Sequence, residues 1–159
     1  MTKPTGVLLN DDEIVVDRRI MDNDEERVRA VMSGGTSYIR TIAGKEGGWQ
    51  NSHFHKHTAE FFVVVTRWMV LVDRAEPLPA LRVYRPGETV TSKPGVEHNV
   101  YLPAHAVIDT LKYQVTKLRD GDKESDWYRA DEAFDRWTKS LTEGAIAKHA
   151  GVMFETLCA

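Results

Sequence analysis

Residues 53–60 read His-Phe-His-Lys-His-Thr-Ala-Glu, and the reading of this stretch decides the fold. In an extended strand, side chains two apart share a face. His53 and His55 therefore project together, with Phe54 opposite. Two imidazoles on one face are the start of a metal site. Glu60 has the other parity, so it reaches the same centre only if the chain turns after His55. Lys56, His57, Thr58 and Ala59 can make that turn, and Glu60 then opens the next strand. Taken alone, the segment suits a metal site, a proton-transfer site or a polar patch.

The flanking sequence is punctuated like a β-protein. Strand candidates cover 36–43, 49–55, 60–73, 80–87, 88–95, 96–103 and 106–116, separated by turns such as Gly47-Gly48, Pro86-Gly87 and Pro94-Gly95. Short β-branched and aromatic runs between Gly/Pro turns indicate an antiparallel sandwich or barrel. No helical periodicity interrupts 36–116, which argues against alternating strand–helix folds. Residues 1–35 read as an N-terminal arm: 13–21 as a short edge strand, and 23–32 as a helical turn capped by Asn23 or Asp24 and ended by 33–35. Residues 117–159 read as a polar loop followed by a helical extension. Asp131 caps a helix whose apolar residues are Phe134, Trp137 and Leu141, and the segment 145–159 fits either a second short helix or a tail.

A fourth group for the centre can come from His98, just after the Pro94-Gly95 turn. These positions resemble the cupin family, whose first motif reads Gly-x5-His-x-His-x3,4-Glu-x6-Gly. Gly47, His53, His55 and Glu60 match it. The second motif, Gly-x5-Pro-x-Gly-x2-His-x3-Asn, is matched by Gly87, Gly95 and His98. Three positions depart: Arg67 stands for the last glycine of the first motif, Lys93 for the proline and Leu102 for the asparagine of the second. The resemblance spans 36–116. It implies an all-β fold, a small antiparallel jelly-roll barrel carrying the C-terminal helical extension. It also implies that His53, His55, Glu60 and His98 bind one divalent transition metal, with Fe, Mn, Ni and Zn among those used.

Other residues are candidates for the same cavity. Tyr38 and Arg40 share one face of their strand and would fix a carboxylate or phosphate beside the metal, unless that face meets solvent. His57 is a substitute ligand, a base behind the ligands or an exposed side chain; the last two are favoured. Gln50 and Asn51 could hydrogen-bond a substrate. Trp49, Trp68, Tyr101 and Tyr113 are aromatic walls or, more simply, packing. Asp109 and Lys112 have opposite parity, so at most one of them faces inward in a regular strand. His105 reads as a structural loop residue, His149 as exposed, and the charges of 120–126 as a solvated loop.

The totals limit the partners. The chain has 159 residues with 21 basic and 24 acidic side chains, a formal charge of −3. That balance carries no electrostatic footprint for nucleic acid, and no apolar run approaches the roughly 20 residues of a membrane span. The single cysteine, Cys158, forms no intrachain disulfide, and the first residues have no secretory pattern, so a cytoplasmic protein is expected. A homodimer acting on a small-molecule substrate is expected from the resemblance. The leading function is a metal-dependent enzyme of oxygenase, isomerase, lyase or cyclase type acting on a carbonyl or carboxylate compound. A metal-free sugar-nucleotide ketoisomerase or epimerase using the histidine pair for proton transfer is the first alternative, because 53–56 is similar to the His-x-His-Lys stretch of such enzymes. A non-catalytic metal or ligand sensor is the second.

Overall fold

The computed structural model describes residues 7–9, 14–32, 36–74 and 78–151. Among the described residues, thirteen strands precede two helices in chain order: β1 Val7–Leu9, β2 Ile14–Ile20, β3 Glu26–Val31, β4 Ser37–Ile42, β5 Gly48–Trp49, β6 His53–Phe54, β7 Thr58–Thr66, β8 Met69–Asp73, β9 Ala80–Tyr84, β10 Thr89–Ser92, β11 His98–Leu102, β12 Val107–Gln114, β13 Tyr128–Arg129, α1 Glu132–Ser140 and α2 Glu143–Ala150. One sheet has the order β1-β2-β3-β4-β12-β7-β10. The other runs β13-β6-β11-β8-β9, with β5 also on β11. Every pairing is antiparallel. Among the described residues the two sheets face each other without closing into a barrel.

Alternation along the strands builds two cores. Phe62 and Val64 of β7, Ile108 of β12, Met69 and Leu71 of β8, and Val100 and Leu102 of β11 fill the space between the sheets. The other faces of β8 and β11 are buried as well. Val70, Val72 and Tyr101 pack beneath Phe134, Ile146 and Ala147 of the helices. Strands covered on both faces lose the polar half of the alternation, which is why 69–72 reads as an unbroken apolar run. The helices thus form a third layer on the outside of the second sheet. Asp131 caps α1 by accepting from the amides of Ala133 and Phe134, Thr142 caps α2, and Gly151 ends it with φ 67°.

Of the residues read as an N-terminal arm, 14–31 pair into the first sheet. β2 and β3 form a hairpin that extends the first sheet through β4, in the register Arg29↔Ile39 and Val28↔Arg40. The helical turn expected over 23–32 is replaced by β3. Its Glu- and Arg-rich sequence has only a weak local preference, and cross-strand pairing on both sides overrides it. Asp24 sits at φ 60° in the hairpin turn, where the amide of Met21 donates to Glu25 and that of Asp24 to Met21. Residues 33–35 and the tail 152–159, with Cys158, lie outside the described residues.

Two turns deliver the histidine segment. Gly47 has φ 64°, and a Cβ there would lie 2.5 Å from the carbonyl oxygen of Leu102, so a side chain would separate β5 from β11. Gly95, at φ 79°, donates its amide to the carbonyl of His55 at 2.6 Å and ties the loop before His98 to the ligand turn. Arg67, which stands where the resembling motif has glycine, makes the β7–β8 turn in the left-handed region at φ 64°.

Candidate metal centre

His53 and His98 come from adjacent strands and are directly paired across β6 and β11. Glu60 comes from β7 in the opposite sheet, in register with Lys112 of β12. His55 follows β6, where the chain begins its turn. All four candidate ligands are buried: His53 8% exposed, His55 2%, Glu60 2% and His98 1%. His98 Nε2 lies 2.7 Å from Glu60 Oε2. His53 Nε2 is 3.5 Å from Oε2, and His55 Nε2 is 3.5 Å from Oε1. Ligand atoms of His53, Glu60 and His98 all fall within 4.8 Å of one another, and His55 borders this group through the second carboxylate oxygen.

The far side of each ring fixes its tautomer. His53 Nδ1 meets the carbonyl oxygen of Asn51 at 2.9 Å, His98 Nδ1 that of Val96 at 3.0 Å, and His55 Nδ1 that of Asp126. A carbonyl oxygen only accepts, so each Nδ1 carries a proton and is held away from the centre, which leaves each Nε2 directed at Glu60. Outer hydrogen bonds of this kind orient the imidazoles of metal sites. His53 Nε2 is buried with no hydrogen-bond partner, an arrangement that costs free energy unless a cation meets it. Burial lowers the His53 pKa to about 4, against the pull of Glu60, so the ring is neutral near pH 7. Burial also pushes the Glu60 carboxyl up, but the charge of Lys112 and the facing histidines outweigh it and hold the group well below the usual range. Three imidazoles and a carboxylate gathered in this way match the ligand chemistry of a divalent transition metal.

The centre lies at the wall of a cavity of about 280 Å³ between the sheets. Ile39, Thr41, Phe62, Ile108 and Thr110 line it, together with Gln50, Lys112 and Trp127. Trp127 stacks on the His53 ring at 5.5 Å. The hairpin β2–β3 adds Asp17, Arg19, Arg27 and Arg29. Arg27 is bonded to buried Glu25, which also accepts from Gln50. Arg19 pairs with Asp17. Arg29 is exposed and has no carboxylate partner among the described residues.

Solved structures with a similar fold include oxalate decarboxylases and KdgF. Bacillus subtilis oxalate decarboxylase, a protein with Mn(II) centres, superposes with TM-score 0.57 at 13% identity over 90% of this chain and 37% of that one. The Lactobacillus farciminis oxalate decarboxylase formate complex gives 0.53 at 13%, over 99% and 44%. KdgF from Halomonas sp. gives 0.52 at 14%, over 69% of this chain and 94% of that one. The chain has the cupin fold. It spans about two fifths of the length of the oxalate decarboxylases it matches. No family model matches it, and no curated protein matches it by sequence.

In this cupin-fold chain the other expected site residues are placed differently from one another. Tyr38 and Arg40 are turned away from the cavity, which corrects the expectation that they flank the metal. Ile39 and Thr41 supply the inner face of β4, and on the outer face Tyr38 and Arg40 both bond the carboxylate of Asp109 at 2.8 Å. Of Asp109 and Lys112, the lysine faces inward. His57 is not exposed. It is 6% exposed, does not line the cavity, and is held between Thr116 Oγ1 at 2.7 Å and Asp122 Oδ2 at 2.8 Å. Gln50 lines the cavity, whereas Asn51 bonds Lys139 at the surface. Trp68 stacks on Tyr101, and Trp49 meets the same tyrosine ring edge-on, in the core beneath the helices.

The loop expected to be merely solvated organises the ligand turn. The carboxylate of Asp126 accepts from the amides of Lys56 and His57 at 3.0 and 2.9 Å. Asp122 bonds both Lys56 and His57, and the ammonium of Lys56 holds its carboxyl far below the usual range. Asp126, Trp127 and the hairpin arginines escape a sequence reading, because nothing in their local pattern distinguishes them from surface loop and edge residues. Among the described residues no helix is long and apolar enough to cross a membrane.

Proposed function

We propose that this cupin-fold protein is a metal-dependent enzyme acting on a small polar organic molecule that carries a carbonyl or carboxylate group. The observation that supports this reading is the grouping of His53, Glu60 and His98 at the cavity wall, with His55 beside the second carboxylate oxygen and each imidazole anchored from behind. His53, His55, Glu60 and His98 would hold the ion, of the Fe, Mn, Ni or Zn class. Bound there, the ion supplies Lewis acidity or an oxygen-activating centre. The Mn(II) centres of the B. subtilis structural neighbour support a divalent ion of this kind. The chain's own residues would do the rest. Arg29, which has no carboxylate partner among the described residues, attracts an anionic group into the cavity, Gln50 offers a polar contact, and Phe62, Val100 and Ile108 supply apolar lining. A guanidinium matches a carboxylate bidentately, so an organic acid is favoured over a neutral sugar.

Metal analysis of protein purified without chelator tests this. One ion per chain is expected, falling well below one in His53→Ala, Glu60→Ala and His98→Ala. Unchanged occupancy in all three would reject the ligand set. A metal-free proton-transfer enzyme is the second reading, favoured by one contact: Lys112 Nζ lies 2.5 Å from Glu60 Oε1. No metal in the wild type, with activity that still requires His53 and His55, would select it.

A further inference from the structure

Lys112 is the innermost cation of the cavity. It follows Ile108 and Thr110 on the inward face of β12 and stands beside Glu60 in register. Its Nζ is 2.5 Å from Glu60 Oε1 and 3.3 Å from His55 Nε2. With the Nδ1–H of His55 donating to the main-chain carbonyl of Asp126, the Nε2 that meets the ammonium is its acceptor. One positive charge therefore engages the lone pairs of two of the four candidate ligands. The other two, His53 and His98, face the remaining carboxylate oxygen.

We propose that Lys112 is a built-in competitor for the metal, a resident cation that holds Glu60 and His55 and must withdraw before all four ligands can bind one ion. The inference rests on the reading of His53, His55, Glu60 and His98 as ligands. A buried carboxylate without a counter-charge is strongly unfavourable, and the ammonium lets Glu60 stay ionised and in place before an ion arrives. Two cations a few ångströms apart repel, so the same ammonium weakens the ion's hold. Lys112 has room to withdraw. Its side chain keeps 19% of its exposure, and it lies on the wall of the 280 Å³ cavity. Withdrawn, it joins Arg29 on the side that faces an anionic ligand, so occupancy by metal and by anion become linked through one side chain.

The test compares Zn(II) affinity, by competition with a chromophoric chelator, for the wild type, Lys112→Met and Lys112→Arg. Methionine keeps the reach and removes the charge, whereas arginine keeps the charge. Lys112→Met is expected to bind Zn(II) at least about tenfold more tightly than the wild type, with Lys112→Arg near the wild type. Should Lys112→Met fail to fold in chelator, Lys112→Gln takes its place with the same expectation. Wild-type binding with unchanged or weaker binding in the uncharged variant overturns the competitor role and leaves the metal site standing. Binding by the uncharged variant alone supports the competitor role and removes the native metalloenzyme reading. No binding by either overturns both.

Discussion

The main-chain carbonyl of Asp126 accepts a hydrogen bond from the Nδ1–H of His55, a residue 71 positions earlier. The carboxylate of the same residue accepts the amides of Lys56 and His57. One loop residue thus sets both the tautomer of a candidate ligand and the turn that carries the chain on to Glu60. It does so at φ 47°, a left-handed conformation that Asp and Asn tolerate better than other side chains.

Replacing that carboxylate is therefore expected to act on the site from outside it. Asp126→Ala leaves two amides without their acceptor and should cost about 2 kcal/mol of stability. Zn(II) affinity should fall by up to about tenfold, the scale of a disturbed ligand support, because the turn leading to Glu60 loosens while the main-chain carbonyl behind His55 stays. Asp126→Asn, with one acceptor oxygen instead of two, should be intermediate in both chemical denaturation and chelator competition. Wild-type affinity in Asp126→Ala would show that the turn holds itself.

Acid should unfold the chelated protein in a defined window. The folded pKa of His53 is lowered by burial to about 4, from 6.5. Between these values the unfolded chain binds the proton and the folded one does not, so stability falls as pH drops from about 6.5 towards about 4. The slope from this group is about 1.4 kcal/mol per pH unit at most. Urea denaturation from pH 7 to pH 4 should show this slope in the wild type and a smaller one in His53→Gln. Equal slopes would assign the acid sensitivity to other groups.

The outer cluster of Tyr38, Arg40 and Asp109 should be dispensable for the site. Arg40 holds the Asp109 carboxyl below its usual range, but its side chain is 46% exposed. Exposed pairs of this kind contribute under about 1 kcal/mol. Tyr38→Phe and Arg40→Gln should each keep wild-type metal content and anion affinity, with a small loss of thermal stability. A fall in metal content would place the cluster in the site's support.

The hairpin arginines should decide charge preference. With Zn(II) bound, Arg29→Gln is expected to weaken malonate binding about fivefold, and Arg29→Glu further, while binding of neutral malonamide is unchanged. Calorimetric titration reads both. Parallel losses for the two ligands would mean that Arg29 shapes the wall without recognising charge.

The amino-acid sequence by itself determined the antiparallel strand series, the turns at Gly47 and Gly95 and the Asp131-capped helix. These follow from short-range rules: a period of two along strands, the backbone freedom of glycine, and capping. What depended on partners was left to the tertiary structure. The strand of Tyr38 carries polar groups on both faces, so only its packing against the second sheet shows that Ile39 and Thr41 face inward. Residues 26–31 have little preference of their own, and become a strand because β2 and β4 pair with them from either side. Asp122 and Asp126 read as solvated charges until the loop folds back over the ligand turn. Lys112 acquires its place beside Glu60 through the register of β12 on β7, a contact between residues far apart in the chain that no local pattern encodes.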